Sequence, residues 1–448
     1  MAKFEYDLTT GSVGKKLLWF SIPFFFSNFV QSVYSVADTV IVSQFGGTNS
    51  VSAVSLSSMI IIVLTNIASG LSTGGTVMLG QYLGSGKREK INQVISTLLI
   101  ILFVLSVLIT SVLWIFIHPI LRILNTPPES YNESYQYLLV SLIGIVFIYG
   151  YNALSAIMRG LGDSKTPMIF VIVACIVNII LDLVLVGAFD MGALGAAAAT
   201  VFSQGLSMIL CVIYLKRNDF TFDFKLRSFR FYKSEFRGLM ITGLPNAVQL
   251  AATNLSFIIL AGIINDIGGV TASAATGIVG KFNGFAILPE SAAGASSAAV
   301  VSQNMGAGYE KRARDSVRYC LLFTAVISVV VLAVSQLFPE PIFRMFRAEP
   351  DVIEAGKLYL RSFSLEYCFL PFIISINSMF NGTGNGWVSL VTNTISTVLF
   401  RVPAAIIYSK VLGMGLFGIG LAIPTATLAG TLVAYVFYKM GVWKKLRI

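Results

Sequence analysis

The chain has 448 residues, of which 56% are hydrophobic and only 12% are charged, and its formal net charge is +10. A soluble domain has roughly a quarter of its residues charged, so this composition excludes a soluble globular protein. The apolar runs are continuous and long, which favours membrane-spanning helices over the alternating strands of an outer-membrane barrel. The polar N-terminal stretch MAKFEYDLTTGSVGKK lacks the apolar core of a cleavable signal, so we expect the first span to direct insertion.

Polar and Gly/Pro clusters divide the chain into twelve predicted membrane spans. Several of them exceed the roughly 20 residues that a bilayer requires, which predicts tilting or bending. The predicted fold class is therefore an all-α polytopic membrane protein with twelve transmembrane helices. The spans lie near 16–45, 50–80, 91–117, 133–157, 166–188, 194–215, 237–265, 271–303, 315–338, 356–380, 386–409 and 415–438.

Most of the 31 basic residues fall in the termini and in loops that this topology places on one side. Loops rich in Lys and Arg stay in the cytoplasm, so we expect both termini to be cytoplasmic in a multi-pass protein of the cell membrane. The positive charge is then a topology signal, and we expect membrane lipids but no nucleic acid as partners. The predicted domains are an N-terminal six-helix lobe over 1–215, a cytoplasmic basic linker over 216–236 and a C-terminal six-helix lobe over 237–448.

An internal repeat relates the two predicted lobes. GQYLGSGKREK at 80–90 aligns with SQNMGAGYEKR at 302–312, an offset of 222 that recurs at several separated places. Six spans per half is an even number, so both halves enter the membrane from the same side. We therefore expect pseudo-two-fold symmetry about an axis along the membrane normal, as in parallel-repeat transporters that work by alternating access.

The repeat also pairs Pro23 with Pro245, each early in a span. Proline removes one helical hydrogen bond and crowds the preceding turn, so it bends a helix. The two prolines are candidate hinges, and a static kink is the alternative interpretation.

Two intramembrane aspartates break the repeat. Asp38 in the first span aligns with Leu260, and Asp182 in the fifth aligns with Ala404. A carboxylate near the centre of a span costs on the order of 3 kcal/mol, which indicates a functional site. Asn178 precedes Asp182 by four residues and shares its helix face, so the pair offers oxygen ligands to a cation or a site for a proton.

Thr200 follows the small-residue run GALGAAAA, which lets the sixth helix approach its neighbours closely, and its hydroxyl is a further candidate ligand. The alternative interpretation is that Asp38 and Asp182 make structural hydrogen bonds between helices. Such bonds average under ~1 kcal/mol, a small return for burying a carboxylate. The residue types leave the coupling ion open between Na⁺ and H⁺.

The second half has its own deep polar residues, which are Lys281, Glu290, Glu366 and Arg401. Lys281 and Glu290 are candidates for lining a substrate cleft, where Glu290 would attract a cationic compound. A salt bridge of Glu290 with Lys281 or Arg401 is the alternative. The sequence contains no nucleophile–base pair, phosphate-binding loop or zinc pattern. We therefore expect a protein that is not an enzyme, with no cofactor and no metal beyond a possible Na⁺.

Four segments resemble the multidrug and toxic compound extrusion (MATE) family: TTGSVGKKLLWFSIPFFFSNFVQSVYSVADTVIVSQFGG (9–47), GQYLGSGKRE (80–89), MRGLGDSKTP (158–167) and SQNMGAGYEKRA (302–313). The resemblance covers essentially the whole chain. It implies twelve helices in two lobes and export of amphipathic, often cationic, compounds in exchange for Na⁺ or H⁺.

The resemblance also implies roles for particular residues. In one archaeal and bacterial branch of the family, the ion-coupling site corresponds here to Asp38, Asn178, Asp182 and Thr200, with Tyr137 from the fourth helix. The same comparison places five further residues along the substrate cleft of the first lobe: Gln31, Tyr34, Asn152, Ser155 and Ser203.

Three functions remain open from the sequence. The first is a monomeric antiporter for amphipathic drugs. The second is a flippase or exporter of a specialised substrate such as a lipid-linked saccharide, a peptide or a metabolite. The third is a membrane receptor or scaffold that transports nothing, although such a protein has no need of unduplicated intramembrane acids.

Overall fold

The computed structural model describes residues 5–218 and 220–446, and no β-strand occurs in those two ranges. The predicted all-α class is confirmed. Both chain ends, which the sequence assigns to the cytoplasm, lie outside the described residues. The first half contains helices α1 (Val13–Phe45), α2 (Gly47–Gly84), α3 (Arg88–Ile123), α4 (Pro128–Gly160), α5 (Lys165–Asp182) and α6 (Gly192–Arg217).

The second half is more interrupted than the first. Its long first helix, α7, has a non-helical residue at Gly269, with φ 54° and ψ −140°. The helices are α7 (Lys233–Ala286), α8 (Leu288–Gly306), α9 (Glu310–Leu337), α10 (Pro339–Met345), α11 (Pro350–Phe363), α12 (Leu370–Gly382), α13 (Gly386–Thr394), α14 (Val402–Ile406) and α15 (Gly415–Lys439).

These helices account for the twelve predicted spans. In the part of the chain that the structure describes, nine helices are long and apolar enough to cross a membrane, or ten with α11 and α12 counted as one span bent by 44°. The break at Gly269 divides α7 into two spans, the second continuing into α8. The remaining span is α1, which has 33 residues.

The backbone itself repeats between the two halves. Left-handed residues occur at Gly86 and Gly308 (φ 73° and 80°), and again at Asn125 and Arg347 (φ 50° and 52°), both pairs 222 residues apart. A positive φ is uncommon outside glycine, so its recurrence at Asn125 and Arg347 reflects a repeated helix ending rather than local composition. The internal repeat found in the sequence is thus present in the fold.

Close helix packing follows the same repeat. A Cβ on Gly160, at the end of α4, would lie 2.8 Å from the backbone oxygen of Thr76 on α2. A Cβ on Gly382, at the end of α12, would lie 2.6 Å from the backbone oxygen of Ala298 on α8. Only glycine allows these backbones to approach so closely, and each half uses one at the same place.

The chain forms two compact units. The first contains residues 1–7 and 26–243, and the second contains residues 8–25 and 244–448. Helix α1 therefore changes unit two residues after Pro23, and α7 changes unit just before Pro245. The lobe boundaries predicted at 215 and 237 stay a prediction.

Candidate functional site

Asp182 is the last α-helical residue of α5. The next six residues, Leu183–Ala188, form a π-helical turn that continues the span. Asp182 is 0% exposed and Asn178, one helical turn earlier, is 1% exposed. π-Helical turns are rare and concentrate at functional sites, because the wider turn redirects side chains and frees backbone groups.

The Asn178 amide fixes one side of the Asp182 carboxyl group. With the amide oriented to satisfy its neighbours, its nitrogen donates to Oδ2 of Asp182 at 2.9 Å, and its oxygen accepts from the backbone N–H of Thr200 at 3.3 Å. The i, i+4 spacing seen in the sequence is the reason that the two side chains meet. Asn178 thus joins α5 to α6 at the level of the carboxyl group.

Asp38, on α1, completes a carboxyl pair. Its side chain lies within hydrogen-bonding range of the Asp182 carboxyl group. No hydrogen-bond donor among the described residues reaches Oδ1 of Asp38 or Oδ1 of Asp182. Two ionised carboxylates at this range repel each other, and a proton or a cation between them relieves the repulsion.

Two hydroxyl groups lie beside the carboxyl pair. The hydroxyl of Tyr34 is 3.5 Å from Oγ1 of Thr200, and Tyr34 is also within electrostatic range of Asp38. Tyr137 on α4 is buried near both acids and lies within hydrogen-bonding reach of Ser58 and Ser141. The structure therefore brings together all five residues of the predicted ion-coupling set, and adds Tyr34 to them.

The donor set suits a hard monovalent cation or a proton. Carboxyl, hydroxyl and amide oxygens are the ligands such cations prefer, and the two Oδ1 atoms have lone pairs that no described donor uses. In the described part of the chain, no group of three or more His, Cys, Asp or Glu side chains has the geometry of a metal site. The arrangement resembles an exchangeable ion site more than a transition-metal centre.

The packing around the site explains how the helices approach. Tyr137 belongs to a buried cluster with small residues of α6, including Ala193, Ala196 and Ala197, and with Val186 of the π-helical turn. Small side chains let α6 lie close to α1 and α4, which positions Thr200. The run of small residues before Thr200 thus has a structural purpose.

The equivalent positions of the second half are apolar. Leu260 is 1% exposed and Ala404 is 8% exposed, and both belong to one hydrophobic cluster. The same backbone therefore encloses a carboxyl pair in one half and a conventional apolar core in the other. The fold does not require acids at these positions.

The residues predicted for the substrate cleft differ in exposure and in hydrogen bonding. Gln31 is exposed, whereas Asn152 accepts a hydrogen bond from Ser69 at 3.3 Å and donates to the backbone of Ile148 at 2.8 Å. Ser203 donates to the backbone oxygen of Thr200 at 2.9 Å. Ser155 is buried on α4.

Glu290 is a buried acid on α8 of the second half. It is 0% exposed, and it accepts a hydrogen bond from Ser328 at 2.7 Å. Among the described residues it forms no ion pair, so the salt bridge with Lys281 or Arg401 that the sequence left open is absent there. Lys281 is exposed, with its ammonium group 5.9 Å from the ring centroid of Phe346.

Arg401 and Glu366 form a second polar cluster in this unit. Arg401 donates to Ser256 at 2.9 Å and stacks 4.8 Å from the ring centroid of Phe257. Glu366 accepts from Thr427 at 3.0 Å and lies within electrostatic range of Arg401. A guanidinium group near the acid already supplies a positive charge, so this cluster is poorly suited to binding a cation.

Sequence reasoning missed three contacts at these sites. The sequence places Tyr34 in the substrate cleft. Because Tyr34 precedes Asp38 by four residues, the two share one helix face, so their proximity was predictable from the spacing. The Ser328 partner of Glu290 and the Ser58 partner of Tyr137 come from distant helices. No pattern within one span could have found them.

The family assignment follows from two matches. The family model described as MatE matches residues 23–184 and again residues 245–407, so each half of the chain carries one copy. The starts of the two matches are 222 residues apart and their ends 223, which reproduces the internal repeat. The chain belongs to the MATE family, and it is a multi-pass membrane transporter.

Named relatives match over nearly the whole chain. The probable multidrug resistance protein YpnP of Bacillus subtilis is 29% identical over 444 residues, covering 99% of this chain and 98% of that protein. The probable multidrug resistance protein NorM of Thermotoga maritima is 25% identical, covering 97% and 94%. The FAD transporter of Shewanella oneidensis is also 25% identical, covering 97% and 96%.

Solved structures share the fold. A multidrug resistance MATE family transporter in an outward-facing conformation superimposes with a TM-score of 0.93 at 23% identity, covering 99% of this chain and 98% of that one. A MOP superfamily transporter from Pyrococcus furiosus gives a TM-score of 0.92 at 23% identity, covering 98% of each chain. The twelve-helix, two-lobe fold predicted from the sequence is confirmed.

Proposed function

We propose that the protein is a secondary active antiporter of the plasma membrane. It exports amphipathic, cationic compounds in exchange for Na⁺ or H⁺ by alternating access, and it works as a monomer. One observation carries the proposal: Asp38 and Asp182 face each other in a buried site whose two Oδ1 atoms have no described donor. The names of the YpnP and NorM relatives support multidrug export.

The coupling follows from charge. A cation or proton that binds between Asp38 and Asp182 relieves their repulsion, and so changes the preferred packing of α1, α5 and α6. Asn178 transmits the change, because it contacts Asp182 on one side and the α6 backbone at Thr200 on the other. If ion binding weakens substrate binding, substrate binding weakens ion binding by the same free energy.

The driving force is sufficient for export. Each elementary charge that moves inward across the membrane yields about 2.3 kcal/mol per 100 mV, and an ion gradient adds to that. One inward Na⁺ or H⁺ per outward cation leaves the exchange electroneutral, so the ion gradient alone then drives transport. Two inward ions per substrate would use the membrane potential as well.

The test is transport of ethidium into proteoliposomes, driven separately by a Na⁺ gradient and by a pH gradient. One gradient should drive transport by the wild-type protein, and Asp182→Asn should abolish that dependence. Asp266→Asn is the matched control, since it removes the same charge from an exposed carboxylate that pairs with Lys410 at 3.3 Å. Transport by Asp182→Asn at the wild-type rate under both gradients would disprove the mechanism.

A second candidate function is the export of a specialised anionic metabolite. The Shewanella relative is named an FAD transporter and matches over almost the full length of both chains. Proteoliposomes loaded with FAD test this candidate: FAD efflux without ethidium transport would favour it over multidrug export.

A further inference from the structure

The first two turns of α7 form a surface distinct from the ion-coupling site. Lys233, Phe236, Arg237, Met240 and Ile241 recur at spacings of three and four residues, so they share one helix face. With Ser234 they line an open surface depression of about 560 Å³. We call this surface the α7 basic groove.

The groove carries two positive charges that no described residue neutralises. Lys233 and Arg237 are exposed and form no ion pair within the described ranges. The acid between them, Glu235, is buried, and it accepts a hydrogen bond from the groove residue Ser234 at 3.1 Å. Its oxygens accept from Lys90 at 2.8 Å and from Tyr82 at 3.0 Å.

The position of the groove defines its surroundings. Helix α7 begins at Lys233 and continues as one of the helices long and apolar enough to span a membrane. Its first turns therefore lie where the hydrocarbon core gives way to lipid headgroups. The distribution of basic loops assigns this end to the cytoplasmic leaflet, where anionic lipids concentrate.

We propose that the α7 basic groove binds one phospholipid with an anionic headgroup. The Lys233 ammonium and the Arg237 guanidinium groups contact the phosphate and the headgroup anion through charge-assisted hydrogen bonds. Phe236, Met240 and Ile241 contact the glycerol backbone and the first acyl carbons. A free phosphate ion gains nothing from contact with three apolar side chains, so the groove fits a lipid and not a soluble anion.

The first experiment measures lipid retention. Purified full-length protein in detergent receives equal amounts of phosphatidylglycerol and phosphatidylcholine, and native mass spectrometry reads the bound lipid. The double variant Lys233→Gln/Arg237→Gln should lose about 30-fold in its preference for phosphatidylglycerol, since each basic residue near a surface contributes about 1 kcal/mol. Lys225→Gln/Arg227→Gln is the matched control, with the same charge removed from the preceding linker.

The outcomes distinguish a specific lipid site from a general effect of positive charge on lipid binding. Loss of the preference in the groove variant alone supports the proposal. Equal loss in both double variants, or no loss in either, overturns it. If inorganic phosphate at millimolar concentration displaces phosphatidylglycerol from the wild-type protein, the groove is a simple anion site and the lipid proposal fails.

A second measurement leaves both basic residues in place. In Phe236→Trp, phosphatidylglycerol with brominated acyl chains should quench the new indole more strongly than brominated phosphatidylcholine does, after subtraction of the four native tryptophans. Equal quenching by the two lipids would contradict a selective site. This variant keeps an aromatic side chain in the groove, so the test remains available if the double variant does not fold.

Discussion

We expect the carboxyl group of Asp38 to lower the stability of the protein, so that its removal stabilises the fold. Oδ1 of Asp38 has no described hydrogen-bond donor, and its carboxyl group faces that of Asp182. A buried unsatisfied acceptor costs about 1–3 kcal/mol. Because Asp38 is only partly buried, we expect Asp38→Leu to raise the free energy of unfolding by about 1–2 kcal/mol.

The equivalent position in the second half shows how a leucine packs at this point of the fold. Leu260 occupies the equivalent position and is 1% exposed in an apolar cluster. The reverse change, Leu260→Asp, is the matched control. It places a lone carboxyl group in that cluster with no partner acid or amide, and it should cost more than about 3 kcal/mol.

Thermal unfolding of the purified protein in detergent measures both effects. The midpoint should rise by a few degrees in Asp38→Leu and fall clearly in Leu260→Asp. The coupling ion should also raise the midpoint of the wild-type protein, by an amount equivalent to about 2.7 kcal/mol at 100 times its dissociation constant. Asp38→Leu should lose that dependence on the ion.

Two outcomes would contradict a role of Asp38 in ion coupling. If Asp38→Leu lowers the midpoint and the coupling ion has no effect on the wild-type midpoint, the carboxyl pair is a structural contact. The same variant should fail in ion-driven ethidium transport. If Asp38→Leu is more stable than the wild-type protein and still transports ethidium normally, the Asp38 carboxyl group has no role in ion coupling.

Further predictions concern packing and bending. Gly160→Ala places a methyl group 2.8 Å from a backbone oxygen of α2 and should cost about 1–3 kcal/mol, whereas Gly277→Ala, with no atom within 4 Å, should be neutral or stabilising in the same unfolding assay. Pro23→Ala and Pro245→Ala restore a helical hydrogen bond where α1 and α7 change unit, so both should slow ethidium transport without loss of stability. Pro424→Ala, inside α15 and within one unit, is the control and should transport at the wild-type rate.

The sequence predicted the helices well because a bilayer demands long apolar segments, and it predicted the repeat because glycine and proline mark backbone shape. It placed Asn178 and Asp182 on one face from their spacing alone. The break at Gly269 also fell between two predicted spans. These are local properties, which a single sequence contains.

Spacing and composition within one span do not predict contacts between distant helices. Glu290 had two basic candidates along the chain, yet its hydrogen-bond partner is Ser328, since a serine on a facing helix gives no signal of its own. The π-helical turn after Asp182 was also invisible, because its residues are as apolar as the rest of the span. Helix type at that point depends on tertiary packing rather than on composition.

The π-helical turn has a mechanical consequence. Each residue of an α-helix turns the chain by about 100°, so a π-helical turn that tightens to α-helix rotates every later side chain by roughly that angle. Residues Leu183–Ala188 can thus act as a point of rotation in the middle of a span, directly after Asp182. The repeat aligns this turn with a π-helical turn at Ile407–Val411, where Ala404 stands in place of Asp182 and the turn itself contains Lys410, paired with Asp266. A rotation in the first half would thus start beside a buried carboxyl group, and one in the second half beside an alanine.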